Sequence, residues 1–91
     1  MNTIIVKRRT AHSEPYDERK VYASIYASCL SVRAPVGAAE LTAARVCQDL
    51  LAWLENKTEV TSADIRRNAA QHLTAYHEDA AYIYKHHRYL M

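Results

Sequence analysis

Val6-Lys7-Arg8-Arg9, then Glu14-Pro15-Tyr16-Asp17, then Lys20-Val21 form the stretch where this chain gathers residues able to bind an anion. Arg8 and Arg9 offer guanidinium donors for phosphate oxygens, and Lys20 adds a compact charge from the first turn of a following helix. Asp17 is the natural cap of that helix, whose free N–H groups favour the same anionic ligand. Glu14 and Asp17 repel phosphate, but they can take a ribose hydroxyl, a base amine or a bound magnesium ion. Ile5, Val6, Tyr16 and Val21 can wall an apolar slot for a base. The set points to a polyphosphate-bearing ligand. Chemistry alone also allows a plainer use, a hairpin edge with solvated charges and a helix cap, since no glycine-rich phosphate loop is present.

Other chemistries find less support. His72 and His77 lie about a turn apart, while His86 and His87 are consecutive and diverge by about 100° on a helix. No cysteine or carboxylate completes a credible metal set around them. Ser24, Ser28, Ser31 and Ser62 have no recognisable His/Asp partners, and no paired general base or metal-holding carboxylates argue for an enzyme. Cys29 and Cys47, eighteen residues apart in apolar helical patterns, read as buried free thiols. The closing run Tyr82-Ile83-Tyr84-Lys85-His86-His87-Arg88-Tyr89 can stack bases and contact phosphates, or dock on a partner or a second copy. A small basic nucleic-acid-binding or transcription-regulating protein is therefore the alternative reading. Twelve Lys and Arg against ten Asp and Glu leave only +2, which argues against it.

These residues must be positioned by a small fold. Ninety-one residues make one domain, 1–91, and a single glycine with two prolines favours a compact, mainly helical chain. Thr3 to Arg9 and His12 to Tyr16 read as two strands joined at Thr10-Ala11. A first helix follows Asp17, with Val21, Ile25, Cys29 and Val32 at helical spacing, until Pro35 and Gly37 break the pattern. A second runs from about Ala38 to Glu55, with Leu41, Ala44, Cys47, Leu50, Leu51 and Leu54 facing inward. Lys57 to Val60 can add a third strand. Thr61-Ser62-Ala63-Asp64 has the capping-box pattern and opens a third helix with Ile65, Ala69, Leu73 and Tyr76 on one face. A fourth begins at Glu78-Asp79, burying Ala80, Ile83, His87 and Leu90. The expected class is α+β and mainly helical, a four-helix bundle capped by a small three-stranded sheet in the order β-β-α-α-β-α-α. No run approaches the roughly twenty apolar residues of a membrane span, and no signal-peptide core is present, so a soluble cytoplasmic protein is expected.

Three motifs in order resemble the ATP-cone domain, the regulatory nucleotide-binding module of ribonucleotide reductases and of their transcriptional repressor. The first is Val6-x-Arg8-Arg9 with Glu14-Pro15-Tyr16-Asp17 and Lys20-Val21; the second is Val60-Thr61-Ser62-Ala63-Asp64-Ile65; the third is Asp79-Ala80-Ala81-Tyr82-Ile83-Tyr84. The similarity covers nearly the whole chain. It implies that Arg8 stands at a phosphate-binding lysine position, and that Arg9, Glu14, Asp17 and Lys20 stand at nucleotide contacts. It further implies Ser62 near the ligand, Arg66 near the base or ribose, and Val6 and Val21 lining the adenine slot. Two departures are Thr10-Ala11, where the family has Asp-Gly, and Arg8 for its lysine. The resemblance implies a ligand, ATP or dATP with Mg2+, and a regulatory role exerted on a homo-oligomer or on a ribonucleotide reductase. Ninety-one residues leave no room for a reductase or for a preceding zinc ribbon, so a free-standing cone or the first part of a longer enzyme is expected. Tyr82, Tyr84, Lys85 and Arg88 are the expected docking surface.

Overall fold

The computed structural model describes the backbone of residues 4–7 and 12–86 and the side chains of residues 13–86. Its class is α+β and mainly helical. The elements run β1 (Ile4–Lys7), β2 (His12–Pro15), α1 (Glu18–Ser31), α2 (Val36–Leu54), β3 (Glu59–Thr61), α3 (Ser62–Tyr76) and α4 (Glu78–His86). The strands are hydrogen bonded in the order β2-β1-β3. β1 pairs antiparallel with β2, Ile4 opposite Pro15 and Lys7 opposite His12. On its other side it pairs parallel with β3, Ile5 opposite Val60 and Val6 opposite Thr61. A parallel partner requires a long crossover, and α1 and α2 supply it.

The helices close on one another, α1 against α2 and α4, and α3 against α2 and α4. In α1, Val21, Ile25 and Cys29 recur every four residues and are buried, as their spacing predicts. Ser24 and Ser28 share this interior. Their hydroxyls donate to the carbonyls of Val21 at 2.9 Å and Ser24 at 3.0 Å, which lets them be buried without an orphaned donor.

The inner face of α2 differs from the expected one. Ala39, Ala43, Val46, Cys47, Leu50 and Leu54 are buried, Ala44 is half-buried, and Leu41 and Leu51 are 52% and 43% exposed. At about 100° per residue, Leu41 falls on the far side of the helix from Ala39. Ala39 and Ala43 join Leu50 and Leu54 on the buried face, while Leu41 and Leu51 turn outward.

The end of α1 also departs from expectation. Gly37 is helical and carries no positive φ; the left-handed residue is Arg33, at φ 63°. Arg33 N–H donates to Leu30 O and Ala34 N–H to Cys29 O, the paired bonds of a Schellman ending. α2 then starts directly after Pro35, two residues earlier than the sequence pattern indicates.

α3 buries Ile65, Ala69, Ala70 and Leu73. From its exposed flank the Tyr76 hydroxyl donates to Asp49 Oδ2 at 2.6 Å, tying α3 to α2, and this bond raises the Tyr76 pKa. α4 buries Ala80, Ala81 and Tyr84, with Ile83 half-buried, while His87, Arg88 and Leu90 lie outside the described residues. Tyr84, expected on a docking surface, is instead fully buried. It shares a hydrogen bond with Ser24, and burial pushes its pKa up to about 12. Among the described residues, no helix is long and apolar enough to cross a membrane.

The two misfit backbone positions yield a prediction. Arg33→Gly relieves a left-handed conformation that a side chain disfavours, and is expected to stabilise by about 1 kcal/mol. Gly37→Ala places its Cβ in open space within a helix and is expected to add roughly 0.5–1 kcal/mol. Each should raise Tm in a thermal melt; a fall in either variant contradicts the backbone described here.

Candidate functional site

The chain leaves β2 at Pro15 and turns into α1 at Asp17. Asp17 has extended backbone (φ −118°, ψ 102°), and its side chain accepts a hydrogen bond from Arg19 N–H at 3.0 Å. Arg19 Nε also donates to the same oxygen at 3.3 Å. The Arg19 guanidinium holds the Asp17 carboxyl below the usual carboxylate range, with the backbone bond adding to the effect. One turn further on, Lys20 Nζ stands 4.0 Å from Glu14 Oε1. Glu14, Pro15, Tyr16, Asp17, Arg19 and Lys20 line one open cleft of about 400 Å3. Of the residues expected to bind, Glu14, Asp17 and Lys20 are thus brought together.

Tyr16 forms the inner wall. Its ring packs against the core, and its hydroxyl is buried without a hydrogen-bond partner among the described residues. Burial raises its pKa well above the ordinary tyrosine value, and Cys47 and Glu18 push it the same way. A neutral phenol is therefore fixed beneath the cleft. Val21 is core rather than lining, buried below the first turn of α1. Arg8 and Arg9 lie outside the described residues.

Val6 is held in the middle strand between Ser13 of β2 and Thr61 of β3. Thr61 caps α3: its hydroxyl accepts from Asp64 N–H at 3.0 Å, while Asp64 Oδ2 accepts from Thr61 N–H at 3.1 Å. Asp64 also accepts from Arg67 Nη2 at 2.7 Å, and this bond, ahead of those to Thr61, lowers its pKa. Ser62 follows, half-buried, as the first residue of α3. Pro15 and Thr61 flank β1 on opposite sides and two register steps apart, roughly 12 Å from strand spacing and rise. Ser62 is therefore near the hairpin but across the sheet from the Glu14–Lys20 cleft. Arg66, one turn into α3, opens into a different cleft, between α3 and α4.

A magnesium ion held by protein carboxylates does not fit the Glu14–Lys20 cleft. Glu14 faces Lys20 and Asp17 caps α1 while bound to Arg19, so neither offers the oxygen set Mg2+ requires. Among the described residues, no group of three or more His, Cys, Asp or Glu side chains is placed to hold a metal. Sequence reasoning missed the bonds of Arg19 to the cap, the orphaned hydroxyl of Tyr16 and the α3–α4 cleft that Arg66 lines. The Asp17-x-Arg19 spacing carried a signal for the first. Comparison with protein-family models, curated proteins and solved structures finds no match for the chain.

The caps make stability pH-dependent. Asp17 and Asp64 have folded-state pKa values below 3.8, so they stabilise the fold above the unfolded-state value, and that stabilisation is lost as pH falls toward the folded-state values. Tm is expected to be flat from neutral pH down and to drop below about pH 4. Asp64→Asn should lower Tm at neutral pH and flatten the acid limb, and Thr61→Ala should cost about 1 kcal/mol. An unchanged acid limb in Asp64→Asn would show that its ionisation does not stabilise the fold.

Proposed function

We propose that this chain is a regulatory module that binds an adenine nucleotide, ATP or dATP, at the hairpin and the start of α1. The observation that carries the reading is the convergence of Glu14, Asp17 and Lys20 on one cleft beside the β1–β2 hairpin, in the spacing that resembles the ATP-cone motif. Lys20 is two-thirds exposed, so its ammonium can leave Glu14 for a phosphate at little cost. Arg8 and Arg9 supply the fork-shaped donors that a triphosphate needs. The Glu14 carboxylate, at the edge of the same cleft, is an acceptor for a ribose hydroxyl or a base amine. Val6 lies within the hairpin's β1, and the half-buried Ser62, next to its β3 partner Thr61, borders the hairpin from the β3 side. Magnesium, where present, arrives on the phosphates rather than on protein carboxylates.

The role is binding and signalling rather than catalysis. A triphosphate contacting both the hairpin and the start of α1 favours whichever assembly holds the two in that arrangement. Its differential affinity for two assembly states shifts their populations. The assembly is a homo-oligomer or a complex with a partner enzyme such as a ribonucleotide reductase, in the cytoplasm.

Calorimetric titration of the purified chain with ATP and with dATP, each with Mg2+, tests the reading, with light scattering on the same samples. Saturable binding accompanied by a change in mass is expected. Lys20→Ala should weaken it at least about tenfold by removing one charge-assisted phosphate contact. Unchanged affinity in that variant sinks the site, and no binding of either nucleotide sinks the function.

A further inference from the structure

A second cleft, of about 360 Å3, lies between α3 and α4 and is lined by Ala63, Arg66, Arg67, Ala70, Gln71 and Lys85. Half of these residues are cations, drawn from two helices, and no carboxylate is among them. Arg67 is neutralised by Asp64 at 2.7 Å. Among the described residues, neither Arg66 nor Lys85 has a carboxylate within ion-pairing distance. Arg66 is half-buried and its Nε is dry, without a hydrogen-bond partner among the described residues. An arginine in this state differs from a solvated surface cation, because part of its donor set has lost water and gained nothing in return. The alanines at 63 and 70 leave the space in front of these cations open. Beside Lys85 on α4, Tyr82 is 62% exposed, and its ring lies 4.3 Å from that of His86, tilted by 41°.

We propose that the α3–α4 cleft is a phosphate-binding site, separate from the cleft at α1. Arg66 and Arg67 approach a phosphate from α3 and Lys85 approaches from α4, so its charge is met from two sides. Gln71 adds a neutral amide donor. The site does not depend on the nucleotide reading of the α1 cleft, since no residue lines both. Two sources present the same group, a small free polyphosphate and the backbone of a single-stranded nucleic acid. The exposed Tyr82–His86 rings offer a stacking surface that only a base-bearing ligand uses.

NMR titrations of the chain with pyrophosphate, and separately with a short thymidine oligonucleotide, test this at low salt. Saturable shifts are expected at the amides of Ala63, Arg67, Ala70, Gln71 and Lys85 with at least one of the probes. Lys85→Ala should weaken that binding about tenfold and Lys85→Arg should restore it, while Lys20→Ala leaves it unchanged. Pyrophosphate binding that ignores Tyr82→Ala identifies a small ligand. Oligonucleotide binding that is weakened by Tyr82→Ala identifies a strand. Absence of saturable binding with both probes, or binding insensitive to Lys85→Ala, overturns the proposal. Sensitivity to Lys20→Ala alone does so too, and points back to the α1 cleft.

Discussion

The central position of β1 is the constraint on which the rest of this molecule depends. A four-residue strand with β2 on one side and β3 on the other ties the start of α1 to the start of α3, although 44 positions separate Glu18 from Ser62. The antiparallel register sets where β2 ends and thus where Asp17 can cap α1. The parallel register sets Thr61 beside Val6 and so places the α3 capping box at the other end of the strand. A slip of one residue in either ladder would turn every strand side chain to the opposite face and separate the caps from the helices they serve.

Beneath the sheet, polar side chains are buried where an all-apolar core would be simpler. Tyr84 from α4 reaches Ser24 on α1, and both Cys47 on α2 and Arg66 on α3 influence its ionisation. One buried tyrosine thus feels charges and dipoles from the helices around it. Such a group fits only one mutual arrangement of the helices, which apolar packing alone specifies less sharply. Tyr16 enters the same region from the sheet side, and its unpartnered hydroxyl marks a place where packing outweighed hydrogen bonding. The raised pKa values of Cys29 and Cys47, both due mainly to burial, keep the two thiols protonated and poorly nucleophilic.

The surface divides its charges by position. At the start of α1 each cation faces a carboxylate, Lys20 with Glu14 and Arg19 with Asp17. Between α3 and α4, among the described residues, only Arg67 does. Exposed pairs of this kind contribute little to stability, so their importance lies in what they make available to a ligand. A paired cleft exchanges one partner for another, whereas a cleft with unpaired cations holds a standing attraction for anions.

The sequence by itself determined what short-range interactions control. Asp17 followed by Glu18 starts a helix, and Thr61 with Asp64 starts another, because a cap is satisfied by residues two or three positions away. The mainly helical class and the burial of Val21, Ile25 and Cys29 follow equally from local period. Contacts distant in sequence decided the rest. Leu41 and Leu51 look more buried than Ala39 and Ala43 on a hydrophobicity scale, yet the packed helix turns the alanines inward and those two leucines to solvent. Tyr84 reads as a surface aromatic until α4 packs against α1 and α3 and buries it. That Arg66 and Lys85 line one cleft is decided by α4 packing against α3. In each case the deciding term is which backbone lies opposite, and that is a property of the packed tertiary structure rather than of any window along the chain.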